Sequence, residues 1–182
     1  MNYLLTGQRT ERLRFRSLQE DDFDDWKPLF EHADTAKFLG MDPNLDTQRL
    51  CELWFEKSSQ REKEQTGGMN VLEHKETGEL IGQSGILVQN IEGKRRIEVG
   101  YSILPKFWRQ GYAFEAANAC LNQAFEWELD DSVISIVHHE NVGSARVAQK
   151  NGMQVERYIE SFEGGDPVNI YSIHRDRWRQ LV

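Results

Sequence analysis

The sequence predicts an α/β fold: a mixed, mostly antiparallel sheet of seven strands with helices on both faces. Three observations predict it. Across residues 97–117 the apolar pattern changes from period two to a helical period, as where a strand feeds a helix. Two strand-like runs precede this stretch, and short turns containing Gly78 and Gly93 link all three into an antiparallel meander. Residues 132–137 then form a nearly continuous apolar run, which suits a strand buried on both faces beside a crossover. A length of 182 residues fits one domain, 1–182, with a real core.

Taken in order, residues 12–16 (Arg-Leu-Arg-Phe-Arg) alternate and read as a strand with Leu13 and Phe15 inward and three arginines on a solvated face. Glu20, Asp21 and Asp22 crowd the first turn of a helix, where the dipole favours acids, and Pro28 is expected to kink or shorten it. Residues 32–46 read as a loop with Gly40, Pro43 and Asn44 as breakers. Asp46 is an N-cap for a second helix carrying Leu50, Leu53 and Trp54. Residues 69–73 and 79–88 are strands. After residues 132–137, Asn141 caps a helix closed by Gly152, residues 154–160 and 168–174 pair as strands, and residues 175–182 read as a short polar tail. This is not the strict β-α-β alternation of a dinucleotide-binding sheet.

Residues 97–117 organise the rest. Ile97, Val99 and Tyr101 suit a half-buried strand, Pro105 stops it, and Ala113, Ala116, Ala117, Cys120 and Leu121 give the next helix a small apolar face that can lie close to the sheet. Between them, Arg109, Gln110, Gly111, Tyr112 and Ala113 offer main-chain N–H groups at a helix start, a natural phosphate site. An ordinary strand-to-helix turn is the competing reading.

Twenty-two basic and thirty acidic residues give a net charge of −8, which argues against nucleic-acid or anionic-membrane partners. There is no transmembrane-length apolar run and no signal-peptide pattern, and Cys51 and Cys120 stand apart, so a reduced cytoplasmic protein is expected. His138, His139 and Glu140 invite a metal reading, but neighbours on a strand point to opposite faces, so no metal is expected.

The chain resembles the GCN5-related N-acetyltransferase (GNAT) superfamily, and within it the RimJ/RimL-like, ribosomal-protein-alanine acetyltransferase branch. The resemblance is carried by residues 12–16, Glu98-Val99-Gly100-Tyr101, residues 108–116 (Trp-Arg-Gln-Gly-Tyr-Ala-Phe-Glu-Ala), residues 140–153 from Glu140-Asn141 to Gly152-Met153, and residues 171–178, in the family's order over nearly the whole chain. It implies acetyl-CoA as cosubstrate and a central strand that bulges and splays from its neighbour. On that resemblance the main chain of Ile103 and Leu104 meets the pantetheine amides, residues 109–113 wrap the pyrophosphate, and Asn141 touches the cofactor arm. Trp108 stands where the broader superfamily has Gln or Arg.

Acetylating an amine needs positioning and proton management. Glu98 is the candidate base, directly or through water; a structural acid is the alternative. The tyrosine many members place seven residues after the asparagine is absent, since Ala148 stands there. The resemblance offers Ser144 as proton donor; the alternative is a first-turn serine that bonds only backbone. An α-amine titrates near about 8 and a lysine near about 10.4, so a site with one carboxylate suits the α-amine better. The acceptor walls are expected from residues 38–44 and 161–168, made acidic by Asp42, Asp46, Glu160, Glu163 and Asp166. The expectation is transfer to a primary amine, a protein N-terminus foremost, by a monomer or homodimer. A small-molecule amine, as in antibiotic or polyamine acetylation, and a non-catalytic acyl-CoA-binding module are the alternatives.

Overall fold

The computed structural model describes residues 3–181. The elements are β1 (Leu13–Arg16), α1 (Asp22–Trp26), α2 (Thr35–Phe38), α3 (Thr47–Glu64), β2 (Gly67–His74), β3 (Leu80–Ile91), β4 (Lys94–Ile103), α4 (Tyr112–Glu126), β5 (Ser132–His138), α5 (Val142–Lys150), β6 (Gln154–Ile159), β7 (Val168–His174) and α6 (Arg175–Trp178). The strands form one sheet in the order β1-β2-β3-β4-β5-β7-β6. Every neighbouring pair is antiparallel except β4 and β5, which α4 connects as a crossover.

Two layers cover the sheet. Ala116, Cys120 and Ala124 are fully buried on α4, and these small side chains let the helix lie against Ile97 and Val99 of β4. On the other face Trp26, Leu29, Leu50 and Cys51 pack on Val71, Leu80 and Leu104, with Trp26 and Trp54 stacked at 6.0 Å. β4 is therefore buried on both faces from Ile97 to Val99, not half-buried as its alternation suggested. Among the described residues no helix is long and apolar enough to cross a membrane.

Several local expectations hold. A 3-10 turn at Lys27–Leu29 ends α1 at Pro28. The Asp46 carboxylate accepts the Arg49 N–H and caps α3. Others change. The expected loop over residues 32–46 contains α2, a single helical turn too short to show a period. The expected polar tail contains α6, whose Trp178 stacks on Phe125 at 5.0 Å and donates from its indole to Asn122. The three arginines around β1 are exposed or half-exposed, as a solvated face implies, but each is also ion-paired: Arg14 and Arg16 with Glu73, Arg16 also with Asp22, and Arg12 with Glu115.

The feature that positions the site is the parting of β4 and β5. They pair only at Ile97–Val133 and Glu98–Ile134. β4 meanwhile keeps an unbroken register with β3 from Ile91–Lys94 to Gly82–Ile103. The splay is present, but the bulge expected on β4 is not. The register shifts lie elsewhere, between β2 and β3 at the Leu72/Glu73 step, with Ile81 as the extra residue, and between β6 and β7 at Val155/Arg157.

Candidate functional site

Beyond Glu98 the diverging strands open a cleft of about 670 Å³. It brings together Glu98, Ile103, Arg109, Gly111, Tyr112, Ala113, Asn141 and Ser144, while Leu104 and Gln110 stay off its wall. Tyr101, Trp108, Phe114, Arg146 and Lys150, to which sequence reasoning assigned no role, also line it.

One end of the cleft is the start of α4. Arg109 and Gly111 both take left-handed backbone, at φ +62° and +89°. For Arg109 that conformation costs roughly 1–2 kcal/mol, a strain the turn must hold. Gly111 offers no capping side chain, so the N–H groups of Tyr112, Ala113 and Phe114 have no intrahelical acceptor. From α5, Lys150 lies 5.9 Å from the centre of the Phe114 ring at this end, and Arg146 also lines the cleft. Four phosphate-compatible features therefore converge: open N–H groups, the positive helix end, Arg109 and the α5 cations.

The wall of the cleft is the free edge of β4. The Leu104 N–H is committed to the Ile81 C=O at 3.0 Å and its C=O accepts the Phe107 N–H. Antiparallel ladders alternate, so Ile103 and Tyr101 turn their main-chain groups away from β3, into the gap. The Ile103 C=O accepts the Trp108 indole N–H at 2.5 Å. Tyr101, rather than Leu104, is thus the second residue whose edge faces the cleft. The signal was parity: Tyr101 lies two residues from Ile103.

The vertex holds Glu98, which is 6% exposed. Its carboxylate accepts from the Gln89 amide and, at 3.3 Å, from the Ile136 N–H. Burial pushes its pKa above the ordinary carboxylate value; the Gln89 bond and the charges of Arg61 and Lys57 pull the other way. Burial thus favours the protonated form more than an ordinary carboxylate's surroundings do.

α5 supplies the opposite wall. The Asn141 side chain accepts the Ser144 N–H at 3.0 Å and so caps the helix. The Ser144 C=O accepts the Tyr101 hydroxyl at 2.8 Å. Burial raises the Tyr101 pKa, which keeps its hydroxyl a neutral donor. Ala148 is buried behind them and provides no hydroxyl.

The acceptor side differs from expectation. Phe38 and Leu39 line the cleft, but no residue of 161–168 does. Asp42 accepts from Asn44 and Asp46 caps α3, so these two acids serve their own loops. His138 and His139 do not point apart: β5 ends at His138, and the two rings lie 4.8 Å from each other. Their donor atoms and those of Glu140 cluster within 4.8 Å. His138 Nδ1 accepts the Glu140 N–H, His138 Nε2 lies 3.4 Å from Asp166 Oδ2, and Glu140 is ion-paired with Lys37.

A sheet opened at one parallel pair, with a helix N-terminus at the cleft's end and a buried carboxyl at its vertex, is the architecture of an acyl-transfer domain. The family model described as "Acetyltransferase (GNAT) domain" matches residues 12–154, and the chain belongs to this family of N-acetyltransferases. It is 31% identical over 163 residues to the protein YkkB of Bacillus subtilis (strain 168), covering 89% of this chain and 92% of that one. The crystal structure of an acetyltransferase from Agrobacterium tumefaciens str. C58 superposes with a TM-score of 0.76 at 25% identity, over 96% and 98% of the two chains. Two more distant structures share the fold. They are RimL, a ribosomal L7/L12 α-N-protein acetyltransferase in complex with coenzyme A (TM-score 0.71, 15% identity, 94% and 98% covered), and spermidine N-acetyltransferase from Vibrio cholerae with CoA and spermine (0.70, 19%, 92% and 98%).

Proposed function

We propose that the protein transfers the acetyl group of acetyl-CoA to a primary amine, a protein N-terminal α-amine, by direct attack in a ternary complex. The observation that carries this reading is the continuous cleft running from the uncapped start of α4, past the free edge of β4, to buried Glu98. Its donor set fits the cosubstrate. The N–H groups of residues 111–114 and Arg109 suit the pyrophosphate, and the main chain of Tyr101 and Ile103 suits the pantetheine amides. Asn141 acts by capping α5 beside that arm.

The amine nitrogen forms the new C–N bond as the thioester C–S bond breaks. Glu98 takes the amine proton, directly or through water, and the Ser144 Oγ–H faces the leaving thiolate. Charge supports the α-amine over a polyamine. Glu98 and Glu140 are the carboxylates on the cleft wall, and Lys37 already neutralises Glu140. A spermidine-like acceptor would carry further cations to this wall and find no free acid for them.

The test is CoA release against N-terminal peptides, spermidine and lysine side-chain analogues, alongside calorimetry with acetyl-CoA. Peptide-dependent release supports the reading. Release with spermidine alone moves the acceptor to small amines, and binding without release leaves a non-catalytic acyl-CoA module.

A further inference from the structure

The loop assigned to the pyrophosphate is braced from behind by a residue 98 positions away in sequence. Arg12, just before β1, donates from Nη1 to the Gln110 C=O at 3.0 Å and from Nε to Glu115 Oε2 at 2.7 Å. Its guanidinium lies 4.2 Å from the centre of the Tyr112 ring, and a Cβ at Gly111 would come within 3.3 Å of its Nη2. Glu115 is in turn fixed by the Arg12 N–H at 2.8 Å and the Thr10 hydroxyl at 2.5 Å. Arg12 is absent from the cleft wall. It lines a separate groove with Thr10, Gly111, Phe114 and Glu115, on the far side of the loop.

Two physical consequences follow. Across a trans peptide the C=O and the next N–H point in opposite directions. Arg12 draws the Gln110 C=O toward the rear groove, and that same peptide then presents the Gly111 N–H toward the cleft. The second consequence is electrostatic. Glu115 places a carboxylate in the first turn of α4, where it would repel an anion bound at the helix start. The guanidinium cancels that charge.

We propose that Arg12 is a positioning residue for the donor: it orients the Gln110–Gly111 peptide and neutralises Glu115 without touching the ligand. This rests on the acetyl-CoA reading above. It locates part of the specificity for a pyrophosphate-bearing donor on the N-terminal strand, outside the cleft.

The test is Arg12→Gln, studied with acetyl-CoA and with S-acetylpantetheine, which lacks the pyrophosphate. The Kd for CoA and the KM for acetyl-CoA are expected to rise about tenfold, the scale of one lost charge-assisted hydrogen bond. kcat at saturation and all kinetics with S-acetylpantetheine are expected to stay unchanged. That second donor also reports, in the same protein, that the fold is intact. Arg12→Lys keeps the charge but cannot fork to both partners, so its Kd is expected between those of the wild type and Arg12→Gln. It serves in place of Arg12→Gln should that variant fail to fold. Adding Glu115→Gln to Arg12→Gln is expected to restore part of the affinity. Unchanged CoA affinity in Arg12→Gln, or equal losses with both donors, overturns the proposal. A wild-type protein that bound no CoA removes the donor reading itself, which is a different result from intact wild-type binding with an unaffected variant.

Discussion

Glu98→Gln tests the centre of the proposed chemistry. Glutamine keeps the volume, its carbonyl still accepts the Ile136 N–H, and a flip of the Gln89 amide satisfies the new NH2 group, so the vertex of the cleft is expected to stay folded. The change removes a proton acceptor, and general-base assistance is worth about 10²–10⁴-fold in rate. kcat with the best peptide acceptor is therefore expected to fall by about 10² or more, with little change in the Kd for CoA. The pH dependence follows from burial. The Glu98 pKa is raised in the folded protein, so the acid limb of the kcat profile is expected above the ordinary carboxylate value of 4.5 and is expected to disappear in Glu98→Gln. Stability carries the same sign. A raised folded pKa gives a contribution fully present below the unfolded pKa and lost as pH rises through the folded pKa. Relative to wild type, Glu98→Gln should therefore gain in Tm as pH rises through that range. Stopped-flow or thiol-release kinetics from pH 5 to 9, with thermal melts over the same range, read both effects. A variant that keeps the wild-type kcat and acid limb would remove Glu98 from the mechanism.

Three further outcomes are expected. Ser144→Ala should lower kcat about tenfold or more at saturating acetyl-CoA while leaving α5 capped by Asn141; full turnover would rule out Ser144 as the thiolate's proton source. Gly85→Ala should destabilise the sheet by about 3 kcal/mol or more in urea melts, because its Cβ would lie 1.9 Å from the Gly68 C=O, and a near-neutral result would show that β2 and β3 can separate there. Arg96 holds the Glu156 carboxyl down to about 2, so the stabilisation from this pair is present above the usual value of 4.5 and lost as pH falls through about 2. The Tm difference between wild type and Glu156→Gln should therefore shrink on acidification from pH 6; a constant difference would show that the pair does not govern that pH dependence.

What was legible in the sequence was local. The turns at Gly78 and Gly93 take left-handed backbone, Asp46 caps its helix, and the small residues of α4 face the sheet, each within reach of a few neighbours in the chain. What was illegible depended on distant partners. Arg12 read as one of three solvated arginines because Glu115 and Gln110 lie about a hundred positions away. α6 read as a tail because its stability comes from Trp178 docking on Phe125 rather than from its own four residues. That Tyr101 and not Leu104 faces the gap follows from ladder parity against β3, which no local pattern shows. The acidity assigned to the acceptor loops overlooked that Asp46, read as an N-cap, had its carboxylate already committed.

The site and the fold share one cause. β4 is tied to β3 through ten consecutive residue pairs, and β5 to β7 through seven. Two well-paired half-sheets therefore meet at only two residue pairs, Ile97–Val133 and Glu98–Ile134. Neither half can bend to close the gap without breaking its own ladder, so the cleft is held open by the hydrogen bonds on either side of it. The last paired residue on β4 is Glu98. The same break turns the main-chain groups of Tyr101 and the Ile103 N–H toward the gap for a ligand, while the Ile103 C=O is taken by the Trp108 indole. A buried acid and an unpaired strand edge are each costly alone. Here both lie on one rigid opening, where a donor bound along the edge would satisfy the main chain and bring its reactive end to the carboxyl. A preformed cleft of this kind leaves little ordering cost at binding, which places the remaining control of donor affinity on the orientation of the loop at residues 109–113, the part Arg12 holds.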